Sequence, residues 1–448
     1  MTVIVCWRQK IRAAITDKHC EGGYVVRELT KFRRSSLGVL GAATLTLTLA
    51  GCGSSTSAVA HNVTLVFATQ GLGTEAQATN AAVAAFEKIH PHIHVQIETL
   101  SASSNNAYQS LVTDLASGSA TPDVITSDVI WPATFAAAKW IMPLNQFHPK
   151  LSAFFPGMVK AGVYHNELYA MPWFINVEGL YYRTDLVKTP PTTFAQLISD
   201  AKSAMSKNPK LMGLAFEGNK YEGAVTVFQD VSGGFGGAFL NAQGKPVINS
   251  PQNIEALTWL DNALKTGLTP QAATTWEEGN VQQAFLSGDA VFATNWPYLY
   301  PLAEQTGSAV KGKVGFVPPP VQNGTPTASL GGDSLVINKN TKYPQQAWEL
   351  VQYLTSASTM MHRALISGDP PARTDAYTAS LLKTAPWFKQ EEAVYKYATP
   401  RPVTPLYPQI SAKIQEALSA VYSGQTTPTK ALDQAQQAIQ AILNNNGN

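Results

Sequence analysis

The chain has 448 residues, 45% hydrophobic and 14% charged, with 32 lysines and arginines against 30 acids. That composition excludes a disordered chain, which is charge-rich and poor in apolar residues. It also excludes a nucleic-acid binder, which needs a strong basic excess.

Residues 1–30 read as neither a signal nor a domain and are taken as an upstream extension from an early start codon. Lys31, Arg33 and Arg34 then precede an uncharged apolar stretch, 37–49, and the tetrad Leu49-Ala50-Gly51-Cys52. A basic region, a short apolar region and small residues before a cut site describe an export signal. The stretch is too short for a membrane span, which needs about 20 residues. A cysteine after Ala-Gly resembles the lipobox of bacterial lipoproteins, which places a diacylated anchor on Cys52. The alternative is an ordinary signal with an incidental cysteine. A cut before Cys52 removes eight of the 32 bases and three of the 30 acids, leaving 397 residues with a net charge of −3. Cys6, Cys20 and Cys52 all lie at or before the cut. The remainder has no thiol for a disulfide, a zinc thiolate or a cysteine nucleophile, and its length suggests two or three domains.

After the polar spacer 53–60, strand-like and helix-like runs alternate. Residues 63–67 predict a strand and 75–89 a helix, with Ala78, Ala82, Ala85, Phe86 and Ile89 at helical spacing. Pro91 ends it. Residues 93–97 alternate like a second strand, 108–117 carry a helical stripe, and 122–126 form a third strand. This order predicts an α/β lobe with a mainly parallel sheet. A second α/β stretch begins near Asn176, with a strand at 180–182, helices at 193–207 and 254–265, and strands at 314–317 and 334–337. Helices near 345–354, 409–422 and 430–443 complete it.

Several constellations carry candidate chemistry. Asp128 follows the third strand, where open α/β sheets bind ligands; it is either a hydroxyl acceptor or a cap of the helix starting near Pro132. Asn295-Trp296-Pro297-Tyr298 puts two aromatics on a stiff loop, to stack on a pyranose or to fill a core. Glu277 and Glu278 open a helix, so capping competes with ligand contact. Gly331-Gly332 permits close backbone approach or a turn. Arg401, among prolines, forks to hydroxyls or makes a structural salt bridge. His90, His92 and His94 alternate beside Pro91 and read as a solvated strand face rather than a metal site. No P-loop, HExxH or GxSxG is present.

Six segments in order resemble the extracellular solute-binding proteins of carbohydrate ABC importers, and within them the trehalose/maltose-binding subgroup. They are the lipobox, TPDVITSDVIWPATFAAAKWIMPL at 121–144, MPWFINVEGLYYRTDL at 171–186, WEEGNVQQAFLSGDAVFATNWPYLY at 276–300, LGGDSLVIN at 330–338 and RPVTPLYPQI at 401–410. The resemblance implies a two-lobe periplasmic-binding-protein-like α/β fold (type II), hinged around a ligand cleft. The lobes are expected at 61–171 plus 327–372 and at 172–326 plus 373–448, behind a signal at 1–51 and a lipidated spacer at 52–60. It implies hydroxyl binding by Glu75 and Asp128, a hydrogen bond from Asn176, a contact from Glu278 and stacking by Trp296 and Tyr298. Gly332 would contribute backbone and Arg401 a bidentate contact. At Ser101–Asn106 the chain departs from the family's Thr-rich loop, and Ser103 or Ser104 would replace it.

The function implied is capture of an α-linked disaccharide, trehalose or maltose, by an exported, lipid-anchored monomer. It would hand the sugar to permease subunits, without catalysis, cofactor, metal or nucleic acid. The alternatives are a glycoside hydrolase using Asp128 and Glu278, or a binder of another oligosaccharide or a glycerol-phosphate-type solute.

Overall fold

The β-branched and apolar alternation of residues 63–69 and 93–99 is that of strands buried on one face, and in the computed structural model, which describes residues 62–445, both are strands. The leader, Cys52 and its spacer lie outside the described residues. Strands β1 (Val63–Thr69) and β2 (Ile93–Thr99) run parallel, Val63 opposite Ile93 through Thr69 opposite Thr99. A parallel pair needs a crossover, supplied by the helix Glu75–Ile89, which buries Ala78, Ala82, Val83 and Phe86. Strand β3 (Val124–Asp128) pairs parallel with β1 on its other side.

Further along lie a small hairpin, β4 (Val163–Tyr164) with β5 (Glu167–Leu168), then β6 (Met171–Val177) and β7 (Gly179–Arg183). Strands β8 (Met212–Ala215), β9 (Ala290–Asn295), β10 (Val314–Val317), β11 (Ala328–Ile337) and β12 (Ala398–Pro400) complete the set. They form two main sheets. The first has the order β12-β11-β3-β1-β2, with β6 also on β11; the second has the order β10-β7-β9-β8. In the first, the parallel β2-β1-β3 core expected from the sequence is joined by β11, antiparallel to both β3 and β6.

Two segments assigned by sequence to the second lobe, β6 and β12, pair with β11 in the first sheet. Only Glu178 separates β6 from β7, so the chain steps from one sheet to the other across a single residue. The step is pinned: the Glu178 amide donates to Ser329 O at 3.1 Å, and Ser329 donates from N and Oγ to Asp230 Oδ1, both at 2.7 Å. One apolar core runs from β1 and β3 through β6 to Tyr181, Phe285 and Phe316. A second core gathers the helices Glu222–Gly234, Pro251–Lys265, Tyr407–Tyr422 and Pro428–Asn445 around β8 and β9. Among the described residues no helix is long and apolar enough to cross a membrane.

Candidate functional site

The ends of β1, β3, β6 and β9, the middle of β11 and the N-termini of four helices converge on a cleft of about 640 Å³. Every one of Glu75, Asp128, Asn176, Glu278, Trp296, Tyr298, Gly332 and Arg401 lines it, together with Gln70, Ser104, Phe174, Glu222, Thr226 and Asp333.

Glu75 is the first residue of its helix, and its carboxylate accepts from the Leu72 amide at 2.9 Å, which fixes it at the mouth of the β1 turn. Asp128 ends β3. It does not cap the helix Pro132–Ala137, whose N-cap is Trp131; its Oδ1 instead takes the Ile130 amide at 3.2 Å and an Arg401 Nη2 proton at 3.1 Å. Glu277 makes the helix cap, in a reciprocal capping box with Asn280. Glu278, one residue on, is thereby left to line the cleft.

Arg401 differs from the expected open fork. Its Nη1 donates to Glu222 at 2.8 Å and its Nη2 to Asp128, so both prongs meet carboxylates of the chain. The guanidinium is almost fully buried, and the triad positions Asp128 rather than presenting a free cation.

The two aromatics also differ from one another. Trp296 is half-buried, and a methyl group on Gly331 would come within 2.8 Å of its ring, so the indole lies close against the β11 backbone. Tyr298 is fully buried and its ring edge abuts Gly73. Of the two, only Trp296 keeps part of its ring open to the cleft, and Tyr298 is packed into its wall. Gly332 has φ +101°, and a Cβ there would fall 2.3 Å from Phe174 O, which requires glycine. Asn176 Oδ1 is buried without a hydrogen-bond partner.

Burial governs the electrostatics. It pushes the Glu278 carboxyl up to about 7, and Glu178, behind it at the strand crossover, up to about 8. Glu75 and Asp333 are raised well above the usual carboxylate range, first by burial and then by neighbouring acids. Burial raises Asp128 too, with Arg401 pulling it back. Proton-bearing carboxyls in such a site both donate and accept hydrogen bonds.

Glu222 was missed by sequence reasoning. It opens a helix whose 13 residues are all buried, so no amphipathic period marks it. Phe174 and Asp333 lie inside motifs already singled out, as neighbours of the chosen residues, and Gln70 directly follows β1. The three histidines sit away from the cleft, with His94 Nδ1 2.8 Å from Glu87 and His90 stacked on Phe86.

Two α/β lobes closing a carboxyl-rich, aromatic-walled cleft define a ligand-binding protein of the periplasmic type. Residues 71–361 match the family of bacterial extracellular solute-binding proteins, and the chain belongs to that family. It is 33% identical over 327 residues to a probable ABC transporter-binding protein of Deinococcus radiodurans, covering 69% of this chain and 77% of that one. The structure of maltose-bound MalE3 of T. maritima superposes with a TM-score of 0.82 at 32% identity, over 85% of this chain and all of that one. A Thermotoga lettingae ABC transporter solute-binding protein bound with α-D-tagatose gives 0.77 at 26%, over 85% and 99%.

Proposed function

We propose that this chain is the sugar-capturing component of an ABC importer, taking a neutral α-linked disaccharide of the maltose or trehalose type into the cleft and delivering it to permease subunits. The observation that carries this reading is the cleft wall. Trp296 lies close against a glycine strand in a cleft also lined by Glu75, Asp128, Asn176, Glu278 and Asp333, a surface that would offer an apolar face to a pyranose and hydrogen bonds to its hydroxyls. The maltose held by MalE3 supports the ligand class. Closure of the lobes over the ligand follows as a population shift, since only the closed state contacts it from both sides. The first lobe takes in β6 and β12, and export with acylation at Cys52 anchors the protein as a monomer at the outer face of the cytoplasmic membrane.

The hydrolase reading is less favoured because Asp128 is tied to Arg401 and the Ile130 amide, whereas a nucleophile or base needs a free carboxylate flanking the bond. A glycerol-phosphate-type solute is disfavoured by the acid excess and by a guanidinium already paired twice. A thermal-shift screen over maltose, trehalose, glucose and glycerol 3-phosphate tests the reading. Ligand at a hundred times its Kd adds about 2.7 kcal/mol of stability, so a disaccharide should raise Tm and glycerol 3-phosphate should not. Glucose release from the disaccharide would instead establish the hydrolase.

A further inference from the structure

The segment Ser101–Asn106, where the sequence offers Ser103 or Ser104 as a ligand contact, divides between two tasks. Ala102 and Ser104 line the cleft, whereas Ser103 and Asn105 turn to the other lobe. Ser103 stands at the N-cap of the helix Ser104–Ala116, where a serine ordinarily accepts from the first turn of its own helix. It makes no such bond. Its buried hydroxyl donates instead to Glu277 Oε1 at 3.3 Å, an oxygen also held by Asn219 Nδ2 at 2.9 Å. Asn105 Oδ1 accepts the Glu222 amide at 3.2 Å, and its Nδ2 donates to Gln415 Oε1 at 2.8 Å. The helix Glu222–Gly234 has no side-chain cap from its own N-cap, Tyr221, so Asn105 takes up one of its free first-turn amides from outside.

These bonds join elements of different lobes. The helix Ser104–Ala116 packs through Ala107, Leu111 and Leu115 with Ala68, Ile125 and Val336 of the first sheet. Glu222 and Gln415 stand on helices of the second core, and Glu277 caps the helix that packs on β9. On its own side the segment is braced, because Gln70 Nε2 donates to Ser101 O at 2.8 Å and the Ser103 amide to Ser101 Oγ at 3.2 Å.

We infer that Ser103 and Asn105 form a latch between the lobes, which sets how tightly and how long a ligand is held without touching it. The inference rests on the two-lobe closure proposed above and not on the choice of sugar. Opening parts Asn105 from both its partners and frees Ser103 to cap its own helix, so each residue has one set of bonds per state. A ligand that needs the closed state binds with an affinity reduced by the fraction of protein that is closed. Loss of the latch therefore weakens every ligand by one common factor, through faster release. Ser103 and Asn105 are positioning residues.

The test compares wild type with Asn105→Ala and Gln415→Ala, which cut one bond from opposite lobes. Solution X-ray scattering is measured without sugar, and calorimetric and stopped-flow titrations with maltose and trehalose. Without sugar both variants should have a larger radius of gyration than wild type, and saturating maltose should remove the difference. Asn105→Ala should raise Kd for both sugars by the same factor, about 3- to 30-fold, mainly as faster dissociation. Gln415→Ala loses only one bond to the first lobe and should raise it by about 2- to 10-fold. Unchanged scattering without sugar, or unchanged affinity in an expanded variant, overturns the inference. So do losses that differ between the two sugars, which would make Asn105 a ligand contact, and an expansion that circular dichroism shows to be lost helix. If wild type binds neither sugar, the saccharide reading has failed, and scattering without sugar still decides the latch.

Discussion

At the scale of single residues, Trp296 is the proposed stacking face for a sugar ring. Covering an aromatic face is worth about 1.5–3 kcal/mol, so Trp296→Ala should weaken disaccharide binding by roughly 10- to 150-fold. The ring is only half-buried in the protein, so Tm without ligand should change little. Titration calorimetry alongside a melt separates the two effects; unchanged affinity with a lowered Tm would make Trp296 a packing residue. Glu178 tests the electrostatics. Its folded-state value, about 8, lies above its ordinary 4.5, so the native state holds the proton more firmly than the unfolded chain does. Stability from this group is greatest below the ordinary value and is lost as pH rises toward about 8. Glu278, at about 7, acts in the same direction. Melts without ligand should show Tm falling between about pH 5 and pH 8, and Glu178→Gln should flatten that slope by raising Tm at the alkaline end. A slope that is the same in the variant would mean Glu178 is not its source.

Among the elements, β11 has the most demanding role. It pairs with β3, β6 and β12 and passes Gly331 and Gly332 along the cleft. Gly332 sits at φ +101° with Phe174 O in the space of any side chain. Gly332→Ala should therefore destabilise the protein by at least about 1–3 kcal/mol, seen as a Tm several degrees lower. Gly331→Ala has a different obstacle, the ring of Trp296, a half-buried side chain and not backbone. It should lower affinity with a smaller fall in Tm. Equal Tm losses in the two variants would refute this division of labour along one strand.

For the whole molecule, the two sheets communicate through a few short crossings, of which the Val177–Gly179 step is the tightest. Ser329 of β11 and Asp230 pin that step, so a hinge motion would pivot about a hydrogen-bonded node rather than a free linker. Delivery to a permease also requires that the capturing protein stay near the membrane. Cys52 is the proposed tether, and two acyl chains are needed because one holds only reversibly. Expression of Cys52→Ala should shift the protein from the membrane fraction to the soluble fraction on fractionation and blotting. A variant retained with the membrane would exclude this anchor.

The sequence alone determined what depends on near neighbours. Helix Glu75–Ile89 follows from its apolar spacing and the proline after it, and β10 from a short β-branched run ended by prolines. The eight chosen residues lay in turns, strand ends or motifs whose order resembles one family, and the structure brings them to one cleft. Tertiary structure decided what depends on partners far along the chain. Periodicity reports a boundary between wet and dry faces, so the helix Glu222–Gly234, buried all round, gave no signal, and Glu222 with it. The bonds of Arg401 to Asp128 and Glu222 join residues far apart in sequence, and no local rule could tell a paired guanidinium from an open one. Likewise the capping box left Glu278 rather than Glu277 for the cleft, because only the folded helix end shows which carboxylate the Asn280 amide captures. Strand β6 reads as a motif in sequence and as a ladder in space, because pairing with β11 is settled by register across more than 150 residues of intervening chain.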